Sequence, residues 1–135
     1  MQNPFLKHAG KYLPPEAQAR MALKTCYFDK SKITDEVVSY YAEPLKFLET
    51  HHALIKTAEH LVPENYHELQ KQYRHIDTPT LLIWGRHDKV IPLSVGKKLN
   101  KEIRSSKLVV FERCGHNPQE ELPKKTASVI LKFLP

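Results

Sequence analysis

The spacing of apolar residues changes once along this chain, near residue 77. Downstream of that point they come in short unbroken runs, Leu81-Leu82-Ile83-Trp84 and Leu108-Val109-Val110-Phe111. Runs of that length, the first entered through Pro79, read as strands buried on both faces, as in a parallel sheet covered by helices. Between them Val95, Leu99 and Ile103 recur every four residues, which predicts a helix over Leu93 to Arg104 with one inward face. Val129, Ile130, Phe133 and Leu134 then mark a last helix. Strand, helix, strand, helix is a right-handed parallel crossover unit.

Upstream, residues 1–75 read as helical throughout and no strand is predicted. Pro14-Pro15 opens a helix with Ala17, Met21, Ala22 and Cys26 inward, and Phe28 to Ser31 is a break. Thr34 suits an N-cap, because Asp35 and Glu36 follow it in the first turn, where negative charge is favoured. Pro44 interrupts this helix at or just after Tyr40-Tyr41. Leu45, Leu48, His52 and Ile55 resume helical spacing, with Leu54, Ala58 and Leu61 in the adjacent stripe, and Glu64 to Tyr73 forms one more helix.

The polar residues that interrupt this pattern sit where chemistry collects. Gly85-Arg86-His87-Asp88 follows the first strand and Cys114-Gly115-His116 follows the second. In open α/β sheets, binding and catalytic groups gather beyond the carboxyl ends of the strands. A simple crossover puts Asp88 and His116 on the same sheet edge, the placement of a carboxylate that orients a histidine base.

Here the residues resemble a family. G-R-H-D-K-V-I-P (85–92) and C-G-H-N-P-Q-E-E-L-P (114–123), in that order and with one helix between them, are similar to the last third of α/β-hydrolase-fold proteins. In that fold the acid follows the penultimate strand as G-x-x-D-x-x-x-P and the histidine follows the last strand as G-H-x-x-x-x-E-x-P. The resemblance implies an α/β fold of which this chain is the C-terminal portion, with residues 1–76 a helical cap and residues 77–135 the βαβα part of the core. It implies catalytic roles for Asp88 and His116, a small-molecule substrate, and no cofactor. Tyr40 and Tyr41 then become candidates for polarising a substrate oxygen from the cap, with His87 and Val90 bordering the same pocket. The simpler reading of the two tyrosines, and the one favoured here, is that one packs within the cap and the other is exposed.

The family's nucleophile sits on a strand-to-helix elbow, G-x-S-x-G or a variant. The chain has four glycines, Gly10, Gly85, Gly96 and Gly115, and no pair of them flanks a serine, cysteine or aspartate at that spacing. The expectation is therefore that an N-terminal half bears the nucleophile and the oxyanion donors. The strand edge Leu81–Trp84 would pair with that half or, without it, with another copy of the chain. The alternative is a stand-alone, non-catalytic module or the product of a truncated gene.

Composition narrows the classes without changing this picture. At 41% hydrophobic and 27% charged the chain is globular in make-up, and no apolar run approaches a membrane span. Residues 1–75 hold 10 Lys/Arg against 9 Asp/Glu, and residues 76–135 hold 11 against 6. The excess includes Lys97, Lys98, Lys101, Arg104 and Lys107, without interleaved aromatics, so it reads as a solvated helix face and not a nucleic-acid site. Cys26 and Cys114 have no metal-binding spacing and read as free thiols in the cytoplasm. Cys114, two residues from His116, reads as a small buried filler. His51, His52, His60 and His67 lack the carboxylate or cysteine partners of a metal site.

Overall fold

The computed structural model of the protein describes residues 13–135. They form two compact units, one built from the described residues up to Lys24 together with Ile33–Leu61, the other from Thr25–Lys32 and Val62–Pro135.

The first unit is helical. Helix α1 (Pro15–Cys26) starts on a proline, whose missing N–H costs nothing in the first turn. It buries Ala19 and Leu23, which stand four apart. The stripe expected from the sequence, Ala17 and Met21, lies two positions away, and Met21 is 55% exposed. Alanines on several faces left the pattern ambiguous, and the bulky aliphatic Leu23 sets the inward direction. Helix α2 (Asp35–Ala42) has the predicted cap: Thr34 is extended and its Oγ1 accepts from the Val37 N–H at 3.2 Å. It buries Val38 and Ala42. Pro44 falls in a 3₁₀ turn, Glu43–Lys46, before helix α3 (Leu48–Glu59). The apolar stripe of α3 is present but none of its residues is buried.

The second unit runs through helix α4 (Tyr66–Gln72) and a 3₁₀ turn (Tyr73–His75) into strand β1 (Thr80–Gly85). Helix α5 (Leu93–Glu102) then leads to strand β2 (Ser106–Phe111), followed by helices α6 (Pro118–Glu121) and α7 (Pro123–Phe133). The strands pair in parallel, from Thr80 opposite Ser106 to Gly85 opposite Phe111. This is the crossover unit expected from the run–stripe–run pattern.

Three details depart from expectation. Leu81 to Trp84 are half-buried along their length, not covered on both faces, because β2 is the one strand hydrogen-bonded to β1 among the described residues. Val95 is 40% exposed, while Gly96 is buried beneath the Trp84 ring. A Cβ on Gly96 would lie 2.7 Å from that ring, so the glycine is what lets the crossover helix sit this close to the strand. Finally, the last helix is broken at Leu122, where Pro123 starts a new one. Ile130 and Leu134 are exposed, and Thr126 is buried, its hydroxyl donating to the Pro118 carbonyl at 2.8 Å.

Candidate active site

Two glycines bring the strand ends together. A Cβ on Gly85 would fall inside van der Waals contact with the Gly115 carbonyl oxygen and 2.5 Å from that of Cys114. The loops after β1 and β2 therefore touch backbone to backbone. Hydrogen bonds extend the ladder past the sheet, from Arg86 N–H to the Phe111 carbonyl at 2.9 Å and from His87 N–H to the Cys114 carbonyl at 3.0 Å.

This approach sets Asp88 against His116. Asp88 Oδ1 accepts from the N–H groups of Val90 and Ile91, both at 2.8 Å, which closes an Asx turn and fixes the carboxylate. Its Oδ2 accepts from His116 Nδ1 at 2.9 Å. The Asp88 side chain is 6% exposed and that of His116 32%. A carboxylate only accepts, so Nδ1 carries the hydrogen and Nε2 is left as the proton acceptor. The backbone of His116 is held as well, its N–H donating to the Cys26 carbonyl at 2.6 Å.

The other candidates fall in different places. His87 stacks on Phe28, with ring centroids 4.5 Å apart, and Val90 is exposed beside Asp88. Tyr40 and Tyr41 are carried on α2 in the other unit. Both are exposed, at 71% and 43%, so the expectation that one of them packs within the helices is corrected. The inward stripe of α2 is Val38 and Ala42, and neither tyrosine lies on it. His51 Nε2 lies 2.8 Å from the Leu45 carbonyl, and His52, His60 and His67 are exposed. Arg86 forms a two-pronged ion pair with Glu112, an exposed contact that holds the Glu112 carboxyl below its usual range. Two shallow hollows, one lined by Arg74, His75, Asp77 and Arg104 and the other by Leu69, Gln72, Tyr73, His75 and Ile76, include neither Asp88 nor His116.

Cys114 is fully buried, as its reading as a filler requires. Burial first, and the neighbouring Glu121 carboxylate second, push its thiol up to about 12. Such a thiol is inert as a nucleophile at neutral pH.

A model of the family described as alpha/beta hydrolase fold matches residues 25–123. The chain belongs to that family. Among curated members it is 30% identical over 134 residues to the uncharacterized hydrolase YugF of Bacillus subtilis, covering 96% of this chain and 46% of that protein. It is 28% identical over 107 residues to the 2-hydroxy-6-oxononadienedioate/2-hydroxy-6-oxononatrienedioate hydrolase of Paraburkholderia xenovorans, covering 79% of this chain and 37% of the relative. The chain thus spans about half the length, or less, of the curated relatives it matches. A solved meta-cleavage product hydrolase of Pseudomonas fluorescens IP01 superposes with a TM-score of 0.75 at 26% identity, over 92% of this chain and 47% of that one.

Proposed function

We propose that this chain supplies the acid and the base of an α/β hydrolase that acts on a small molecule, with a Ser or Asp nucleophile and oxyanion donors contributed by an N-terminal half of the fold. The observation that carries this reading is the Asp88–His116 hydrogen bond, formed at the carboxyl end of a parallel strand pair. In that role His116 Nε2 takes the proton of the nucleophile or of the hydrolytic water. Asp88 holds the tautomer and stabilises the imidazolium that results. The helices of residues 1–76 would act as a cap and those of 77–135 as core, with Tyr40, Tyr41, His87 and Val90 as substrate contacts. Ester, epoxide and related hydrolyses fit this machinery. The names of two matched relatives add 2-hydroxy-6-oxononadienedioate or 2-hydroxy-6-oxononatrienedioate, and meta-cleavage products, to the substrates worth assaying first. The free thiols Cys26 and Cys114 suit a cytoplasmic location. No helix among the described residues is long and apolar enough to cross a membrane.

The test is reconstitution. The upstream half, taken from the YugF relative if necessary, is joined to this chain in cis or added in trans, and ester and meta-cleavage substrates are assayed. His116→Ala should remove nearly all turnover, and Asp88→Asn should lower kcat by on the order of 10⁴. Full activity of Asp88→Asn would place the acid elsewhere. A chain that folds stably by itself and gives no turnover in any reconstitution would favour the stand-alone module instead.

A further inference from the structure

Glu121 is 1% exposed, an unusual position for a carboxylate, and its hydrogen bonds account for it. Oε1 accepts from the Gly115 N–H at 2.6 Å. Oε2 accepts from the N–H groups of Phe28 at 2.8 Å and Asp29 at 3.0 Å. One side chain therefore joins the residue just before His116 to a segment that lies more than ninety positions ahead of Glu121 itself in sequence. The same segment is tied to this turn at other points. Tyr27 donates its hydroxyl to Glu120, Lys32 donates its ammonium to the Glu121 carbonyl, and the Cys26 carbonyl accepts from the His116 N–H. The room is tight: a Cβ on Gly115 would come 2.8 Å from Phe28 N and 2.9 Å from Glu121 Oε1, and closer still to the Cys26 carbonyl. The segment reaches the acid's loop too, since the Phe28 ring stacks on His87, next to Asp88.

We propose that Glu121 is a positioning residue for His116, its two carboxylate oxygens drawing the turn before the histidine and the segment Thr25–Lys32 onto one anchor so that Nδ1 stays directed at Asp88. The chemistry calls for a carboxylate and not merely for its shape. All the polar groups that face the two oxygens donate, including the Cys114 thiol at 3.7 Å from Oε1. A glutamine of the same outline offers one acceptor oxygen and turns an NH₂ toward at least one N–H, leaving buried donors unpaired. This inference rests on His116 being the base, but its readout is the His116–Asp88 hydrogen bond itself, measurable whether or not the hydrolase reading stands.

The experiment uses the full ¹⁵N-labelled chain and reads, by NMR, the solvent exchange of the His116 Nδ1–H and of the backbone amides in wild type, E121Q and E121A. In E121Q the Nδ1–H should exchange at least about ten-fold faster, with the Gly115, Phe28 and Asp29 amides losing protection alongside it. The amides of Ile83 and Val109 in the sheet should keep theirs. An E121Q protein with wild-type exchange at Nδ1–H and Gly115 would mean that Glu121 only fills space, and would overturn the proposal. Should E121Q lose the sheet amides as well, the wild-type chain decides. Its Gly115, Phe28 and Asp29 amides should exchange at least about ten-fold more slowly than those of Glu64 and Asn65 in an exposed turn. Equal rates would overturn the proposal.

Discussion

Helix α3 carries Leu48, Leu54 and Ile55 in a regular helical array, and they stand 63%, 53% and 50% exposed. The turn from Cys114 to Glu121 holds only one short helix, yet Cys114, Gly115 and Glu121 are all buried within it. The two regions separate properties that usually travel together. In α3 an apolar period produces the helix without producing a core. In the turn, irregular backbone is packed tightly because its polar groups find partners in side chains and in a distant segment. Periodicity forecasts local conformation, whereas satisfied backbone donors report where the chain is held in place.

The largest effect that sharpens this contrast concerns the thiols. With its pKa at about 12, Cys114 at pH 8 should react with iodoacetamide on the order of 10³ times more slowly than a free thiol. Cys26, only part-buried and raised chiefly by desolvation, should be modified first. Mass spectrometry of time-resolved labelling reads the order. Labelling of Cys114 in step with Cys26 would mean that the turn opens readily.

Next in size is a pair of truncations. Phe111, fully buried at the end of β2 with the Lys125 ammonium 4.6 Å above its ring, should cost about 3–5 kcal/mol when changed to alanine. Leu54→Ala on α3 should stay within about 0.5 kcal/mol. Urea melts of both variants check this. Equal losses would show that α3 is buried in solution after all and would erase the contrast.

The smallest effect belongs to the exposed Arg86–Glu112 pair beside the site. The partner guanidinium lowers the Glu112 pKa in the folded state, first by hydrogen bonding. Its contribution is therefore present above the unfolded carboxyl range and lost as pH falls through the lower, folded value. Wild type should hold a slight advantage over Glu112→Gln at neutral pH that vanishes in acid and shrinks in high salt. Thermal melts at two pH values and two salt concentrations measure it.

Much of the fold is legible in the amino-acid sequence. Unbroken runs identified both strands, the four-residue spacing identified the crossover helix, and the strand-end positions paired Asp88 with His116. The proline at 44 and the Thr34 cap also acted where their chemistry says they should. What escaped was set by contacts remote in sequence. Phe28 to Ser31 read as a mere break, yet Phe28 and Asp29 donate to Glu121. Glu121 was visible as part of the histidine motif, but a glutamate in a polar turn gives no sign of being buried. The available hints were the glycine before His116 and the proline-bounded turn that directs Glu121 inward. The inward face of α1 was misjudged because alanines decorate several faces, and Val95 because Gly96, with no side chain, makes the closer contact.

Trp84 is the sole tryptophan in the sequence, and its indole N–H donates to the Ile91 carbonyl at 3.0 Å. Residues 84 and 91 bracket the turn that carries Asp88, so the ring is fastened to the loop that presents the acid. The protein thus contains its own optical gauge. Excited selectively at the red edge of its absorption, the indole emits from a position that registers any loosening, wetting or ligand-induced shift of that loop. Changes near Asp88 in this chain can then be followed by steady-state emission and anisotropy in real time, with no label attached.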